Sequence, residues 1–102
     1  MIRATFLKSG NSKGFEISGH ASARAYGSDT VCAAVSSAAY MTANTVTEVL
    51  KINADADVRD GYLKFTFESD DKAAIAVLDG LELHIRELEK EYPKKIKVIT
   101  EV

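Results

Sequence analysis

The residue most able to do chemistry in this sequence is its one cysteine, Cys32, and the residue best placed to assist it is His20. A thiol and an imidazole within hydrogen-bond reach are the minimal apparatus of a cysteine peptidase, because the imidazole removes the thiol proton and later protonates the leaving amine. Cys32 lies about three residues into a predicted helix, where exposed N–H groups and the helix dipole favour a thiolate. The same N–H groups are suited to hold a developing oxyanion.

Both residues also have ordinary structural interpretations. A single cysteine in an alanine-rich helix is often a small core hydrophobe. A histidine beside a glycine, as His20 is beside Gly19, is often a loop or capping residue. The second histidine, His84, falls among charged residues of another predicted helix, which favours a solvated position. Spacing alone therefore predicts a reactive pair without excluding a structural one.

Length, charge and composition limit the other chemistries. A chain of 102 residues with 46% hydrophobic and 27% charged residues predicts a single domain over residues 1–102. The net charge of -2 argues against binding nucleic acid through an overall positive field. One cysteine with two histidines makes a poor zinc site, so we expect no metal and no cofactor. No apolar run approaches the ~20 residues of a membrane span, and the first eight residues do not resemble a signal peptide. A single cysteine suits a reducing compartment. We therefore expect a cytoplasmic protein.

The elements that must position Cys32 and His20 are short and well marked. Alternating apolar residues predict strands over residues 2–7 and 15–18, joined as a hairpin by a polar connection with two glycines. Residues 19–29 have no clear period and predict a long loop. A helix is predicted over residues 30–52, with its start marked by the capping candidates Ser28, Asp29 and Thr30 and with Val49 on its apolar stripe.

The second half of the chain repeats this outline. Asp60-Gly61 between two alternating segments predicts a hairpin of residues 54–59 and 62–67. Apolar residues at helical spacing predict a helix over residues 72–91, in which Gly80 suggests a close packing contact. Residues 95–102 predict a last strand, guarded at its edge by lysines. The order β-β-α-β-β-α-β predicts an α+β fold with two helices packed on a mostly antiparallel sheet.

The residues around His20 and Cys32 resemble the signature of a known family, the ribosomal-processing cysteine protease (Prp) family. The resemblance is carried by Gly19-His20-Ala21, followed after a short loop by the block Gly27-Ser28-Asp29-Thr30-Val31-Cys32-Ala33-Ala34-Val35-Ser36. It extends over the length and element order of the whole chain. The flanking block makes the signature more specific than a cysteine and a histidine alone.

The resemblance implies a specific activity. Members of the family remove a short N-terminal extension from a large-subunit ribosomal protein of the L-twenty-seven type, are α+β proteins, and form homodimers. The family's nucleophile matches Cys32 and its catalytic histidine matches His20, acting as a dyad. Between them the family has a mobile loop that closes on the substrate, which here implies substrate contacts from Gly19, Ala21, Ser22, Arg24, Tyr26, Gly27 and Ser28.

Asp29 matches the aspartate of the family's block and has two possible roles. Its carboxylate could cap the first turn of the helix by accepting a backbone N–H. It could instead orient His20 and stabilise the imidazolium, as a third member of a triad does. A carboxylate facing Cys32 would oppose the thiolate, so Asp29 assists catalysis only if it faces His20.

Two functions of different classes follow. The first is a cysteine endopeptidase, a hydrolase that binds the extended N-terminal segment of a ribosomal protein, with no direct contact to nucleic acid or membrane. The second is a non-catalytic ribosome-associated or adaptor module in which Cys32 is a core residue. Thiol chemistry separates them, because a nucleophilic Cys32 is alkylated near neutral pH and a core cysteine reacts only on unfolding.

Overall fold

The chain folds in the order predicted from its sequence. The computed structural model describes residues 1–19 and 30–101, with the side chain of Glu101 excluded. The strands and helices are β1 (Ile2–Ser9), β2 (Ser12–Ser18), α1 (Thr30–Asn44), β3 (Ala54–Arg59), β4 (Tyr62–Glu68), α2 (Lys72–Glu91) and β5 (Ile96–Glu101). The predicted α+β class is confirmed, and the bounds of α2 agree with the prediction at both ends.

The described strands form one sheet in the order β3-β4-β2-β1-β5. Three neighbouring pairs are antiparallel, and the pair of β1 with β5 is parallel. The parallel pair arises because α2 carries the chain back across the sheet, so that β5 joins the open edge of β1. A parallel neighbour requires a long crossover of this kind. The first strand of the chain therefore lies inside the sheet.

An aromatic row crosses the middle of the sheet. Phe6 on β1 lies opposite Phe15 on β2, and Phe15 lies opposite Phe65 on β4. The ring centroids are 6.4 Å apart in the first pair and 5.6 Å apart in the second. All three side chains are at most 1% exposed. Such pairs add ~0.5–1.5 kcal/mol to the stabilisation from burial, so this row is the centre of the core.

Helix α2 covers the β1–β5 side of the sheet. Asp71 is its N-cap and accepts a hydrogen bond of 3.0 Å from the backbone N–H of Ala74. The predicted apolar stripe is buried at Ala74, Leu78, Leu81 and Ile85. Glu89 on α2 also accepts a hydrogen bond of 2.9 Å from the backbone N–H of Val98, at the outer edge of β5. With its exposed lysines, that edge is protected against further strand pairing.

Helix α1 ends at Asn44, earlier than predicted, and is followed directly by a turn of different winding. Residues Thr45–Val49 form a π-helical turn, in which the backbone N–H of Leu50 bonds to the carbonyl of Thr45 at 2.9 Å. The wider turn rotates Val49 away from the core, so Val46 is fully buried whereas Val49 is 71% exposed. The prediction of Val49 on the buried stripe is wrong for this reason.

The prediction of a close contact at Gly80 is also wrong. A Cβ atom built on Gly80 has no heavy atom within 4 Å, and the residue lies on the exposed face of α2. Gly14, by contrast, lies where β2 and β4 approach closely, and a Cβ there would fall 1.9 Å from the carbonyl oxygen of Phe65. The packing constraint on glycine is thus in the sheet and not in the helix.

Candidate active site

Cys32 opens onto a cavity at one end of the sheet. It is the third residue of α1, which begins at Thr30. Val31 and Val35 are buried at 3% and 1% exposure and fix the rotation of the helix on the sheet. Cys32 is half-buried and lines a cavity of about 480 Å³. Ligand pockets have volumes of this order, so the cysteine is accessible to a substrate.

One face of α1 forms a wall of the cavity. Cys32, Ser36 and Tyr40 all line it, at the four-residue spacing that places side chains on one side of a helix. Ser36 is exposed and belongs to this wall. Tyr40 is 46% exposed. The wall therefore begins at the cysteine and ends at an accessible aromatic ring.

The opposite side of the cavity is built by the ends of β2 and β4. Gly19, directly after β2, donates a backbone hydrogen bond of 2.9 Å to the carbonyl oxygen of Gly61 in the β3–β4 turn. Its φ of +90° is one that residues with a side chain rarely adopt, and a Cβ there would lie 2.3 Å from the carbonyl oxygen of Met1. Only glycine fits this position, which starts the segment that carries His20.

A polar cluster holds the rim of the cavity on the outer face of the sheet. The Tyr62 hydroxyl donates a hydrogen bond to the Glu16 carboxylate. The Arg59 guanidinium lies 4.4 Å from the centroid of the Tyr62 ring and bonds to Asp57 at 3.1 Å. The hydrogen bond to Glu16 raises the pKa of Tyr62 above 10.0, and desolvation adds to the shift. These contacts link β2, β3 and β4 at the rim of the cavity, which Arg59 and Tyr62 line.

The structure brings two of the sequence-predicted site residues to one cavity, namely Gly19 and Cys32. The predicted base His20, the predicted support Asp29 and six predicted substrate-loop residues lie outside the described residues. These six are Ala21, Ser22, Arg24, Tyr26, Gly27 and Ser28.

Sequence reasoning missed the contribution of the β3–β4 hairpin. Arg59, Asp60, Gly61 and Tyr62 all line the cavity. The Asp60-Gly61 turn was recognised, but its position beside Gly19 depends on the strand order, which was not predicted. Tyr40 was also missed, although its spacing of eight residues from Cys32 places both on one helix face.

The described part of the chain offers neither a cluster of metal ligands nor a helix suited to a membrane. Within residues 1–19 and 30–101, no group of three or more His, Cys, Asp or Glu side chains is arranged to hold a metal ion. Neither described helix has the length and apolar character needed to cross a membrane.

The sequence matches the family model described as cysteine protease Prp over residues 1–97. The chain belongs to this family. Prp is a family of cysteine proteases, so the chain is a hydrolase and the predicted resemblance is confirmed. Family membership also decides against the non-catalytic adaptor module as the function.

A relative in Bacillus subtilis (strain 168) is named ribosomal processing cysteine protease Prp. It is 29% identical over 113 aligned residues, which cover 100% of this chain and 99% of the relative. The Prp match thus extends over the full length of both proteins.

Solved structures of Prp from S. aureus share the fold. One holds a covalently linked product peptide and has a TM-score of 0.83 at 22% identity, covering 99% of this chain and 100% of that one. A second, in complex with a substrate peptide, has a TM-score of 0.81 at 21% identity with the same coverage. At these identities the similarity establishes the architecture, two helices on a mixed and mostly antiparallel sheet.

Proposed function

We propose that this Prp-family protease is an endopeptidase that removes the N-terminal extension of a large-subunit ribosomal protein of the L-twenty-seven type. The observation that carries the proposal is the position of Cys32, which combines the first turn of a helix with the wall of a peptide-sized cavity. The S. aureus relative, which has been captured with a substrate peptide and with a covalently linked product peptide, supports a peptide substrate here.

Cys32 and His20 act as a dyad in the proposed mechanism. His20 takes the Sγ proton, and the thiolate attacks the carbonyl carbon of the scissile bond. Backbone N–H groups of the first turn of α1 stabilise the negative oxygen of the tetrahedral intermediate. His20 then protonates the leaving amine, which departs and leaves a thioester on Cys32. Water activated by His20 hydrolyses the thioester and restores the thiol.

The segment between the two residues completes the proposed site. Ala21, Ser22, Arg24, Tyr26, Gly27 and Ser28 contact the extended substrate, with Gly19 as their fixed starting point. Asp29 either orients His20 or caps the first turn of α1. The protease acts in the cytoplasm as a homodimer in which residues 1–102 of each chain form one domain, and neither nucleic acid nor a cofactor takes part.

Peptide cleavage tests this proposal. The purified protein is mixed with a peptide spanning the extension of its host's ribosomal protein, and the products are identified by mass spectrometry. We expect cleavage at one bond, lost in Cys32→Ser and in His20→Ala. His84→Ala is the matched control, because His84 is the other histidine and is exposed on α2, and it should cleave normally.

Alkylation of the folded protein by iodoacetamide provides an independent measurement. We expect rapid reaction at Cys32 near neutral pH and a slower reaction in His20→Ala. An inert thiol together with an uncleaved peptide would contradict the protease mechanism. A reactive thiol with an uncleaved peptide would retain the dyad and reject the ribosomal substrate.

A further inference from the structure

The cavity that Cys32 lines is bordered by apolar residues on the inner face of the sheet, Ile17 and Leu63 among them. One register row crosses four strands on the inner face: Ala4 on β1, Ile17 on β2, Leu63 on β4 and Val58 on β3. Exposure rises along it, from 0% at Ala4 to 8% at Leu63 and 54% at Val58. The apolar floor of the cavity therefore extends into the open at Val58.

The side wall of this extension is the face of α1 that ends at Tyr40. Tyr40 lines the same cavity as Leu63, and Leu63 is the register partner of Val58. Tyr40 and Val58 are 46% and 54% exposed. Together Leu63, Tyr40 and Val58 form what we call the apolar groove. Exposed apolar residues that border an active-site cavity are typical of a surface that binds a ligand.

The distance from Cys32 to Tyr40 determines which residue of a bound substrate reaches the groove. Tyr40 follows Cys32 by eight residues, which is ~12 Å along a helix that rises 1.5 Å per residue. An extended peptide advances about 3.3 Å per residue. A peptide held at Cys32 and lying along α1 therefore reaches Tyr40 with the residue about three or four positions from the scissile bond.

We infer that the apolar groove binds an apolar side chain of the substrate, three or four residues from the bond that is cut. This inference rests on the proposed function, since it takes Cys32 as the point of cleavage. It assigns Tyr40 and Val58 as specificity-determining residues outside the reacting atoms. Burying both accessible side chains against an apolar partner provides the binding energy, whereas an aspartate at the same position would lose its water against apolar side chains.

Binding to an inactive variant separates this inference from the catalytic proposal. The extension peptide, labelled with a fluorophore, is titrated with Cys32→Ser and followed by anisotropy. A series of peptides carries aspartate in turn at each of the four positions on either side of the cleaved bond. We expect one aspartate, three or four positions away, to weaken binding by about tenfold or more.

Variants of the groove then identify its residues. In the Cys32→Ser background, Tyr40→Ala and Val58→Thr should each weaken binding of the unsubstituted peptide, and the penalty for the aspartate should shrink in both. In the active protein the same changes should raise KM and leave kcat nearly unchanged. Met41→Ala is the matched control, because Met41 is the next residue of α1 and is 66% exposed outside the cavity lining.

The two proposals fail in different ways. Equal effects of Tyr40→Ala and Met41→Ala, or a penalty confined to positions next to the bond, would overturn the groove even if cleavage is normal. A peptide that binds through Tyr40 and Val58 but is not cut would uphold the groove and reject the proposed cleavage of this extension. A peptide that neither binds nor is cut would reject both.

Discussion

The backbone N–H of Gly19 donates a hydrogen bond of 2.9 Å to the carbonyl oxygen of Gly61, and this bond joins the end of β2 to the turn that lines the cavity. The Met1 carbonyl closes the other side of Gly19. We predict that Gly19→Ala lowers the free energy of unfolding by ~2–5 kcal/mol, from the unfavourable φ and the steric clash together. It should also abolish peptide cleavage, because the backbone must shift directly before His20.

Gly10→Ala is the control for the backbone conformation alone. Gly10 has a φ of +58°, but a Cβ there has no heavy atom within 4 Å. It should cost only about 1–2 kcal/mol and leave cleavage unchanged. Urea unfolding and peptide cleavage measure both variants, and equal effects of the two would show that the contact with Met1 carries no weight.

The open position of Gly80 predicts a stabilising substitution. Because a Cβ at Gly80 meets nothing within 4 Å, Gly80→Ala should gain the helix propensity of alanine without a steric cost. We expect about 1 kcal/mol, which corresponds to a rise in Tm of ~4–8 °C for a domain of this size. Calorimetry checks the value. A fall in Tm would mean that a partner surface packs closely on this face of α2.

The hydrogen bond from Tyr62 to Glu16 predicts a change in the titration of the phenol. We expect Glu16→Gln to lower the pKa of Tyr62 toward its ordinary value of 10.0, since the carboxylate that favours the protonated phenol is lost. Because the pKa of Tyr62 is raised in the folded state, its contribution to stability is complete below pH 10 and is lost as the pH rises through the folded pKa. The wild type should therefore lose more stability than Glu16→Gln above pH 10.

Absorbance of tyrosinate, measured as the difference from Tyr62→Phe, reports this pKa directly. Tyr62→Phe removes one phenol and leaves the other three tyrosines as they are. An unchanged titration in Glu16→Gln would show that the hydrogen bond is not maintained in solution.

Asp29→Asn separates the two roles that the sequence offers for this carboxylate. We expect a loss of activity, because an amide cannot stabilise the imidazolium of His20. Asparagine is nearly as good an N-cap as aspartate, so a cap alone predicts little change in either property. Cleavage rate and thermal unfolding are measured on the same preparation. Unchanged cleavage together with unchanged stability would favour the capping role.

The local elements were predictable because their signals are local. The spacing of Leu78, Leu81 and Ile85 and the N-cap at Asp71 determine α2 without knowledge of the rest of the chain. The alternation of Ile2, Ala4 and Phe6 determines the buried face of β1 in the same way. The position of Cys32 near a helix start could likewise be predicted from its neighbours.

The features that were not predicted depend on long-range arrangement. Nothing near Tyr62 in the sequence indicates that β4 pairs with β2, so the approach of Gly61 to Gly19 could not be foreseen. The winding change that exposes Val49 depends on i to i+5 hydrogen bonds over one turn and leaves no periodic signal. The hairpin residues that line the cavity were missed because the pairing of β4 with β2 could not be predicted.

The pairing of β1 with β5 has a consequence for folding during translation. Ile2 lines the cavity, and its backbone N–H bonds to the carbonyl of Lys95 at 2.8 Å, beside its strand partner Ile96. During translation β1 is made before β5, so it is paired on both sides only after residues 96–101 have left the ribosome. Contacts this far apart in sequence form late in folding. A nascent chain that lacks β5 therefore cannot complete the wall beside Cys32.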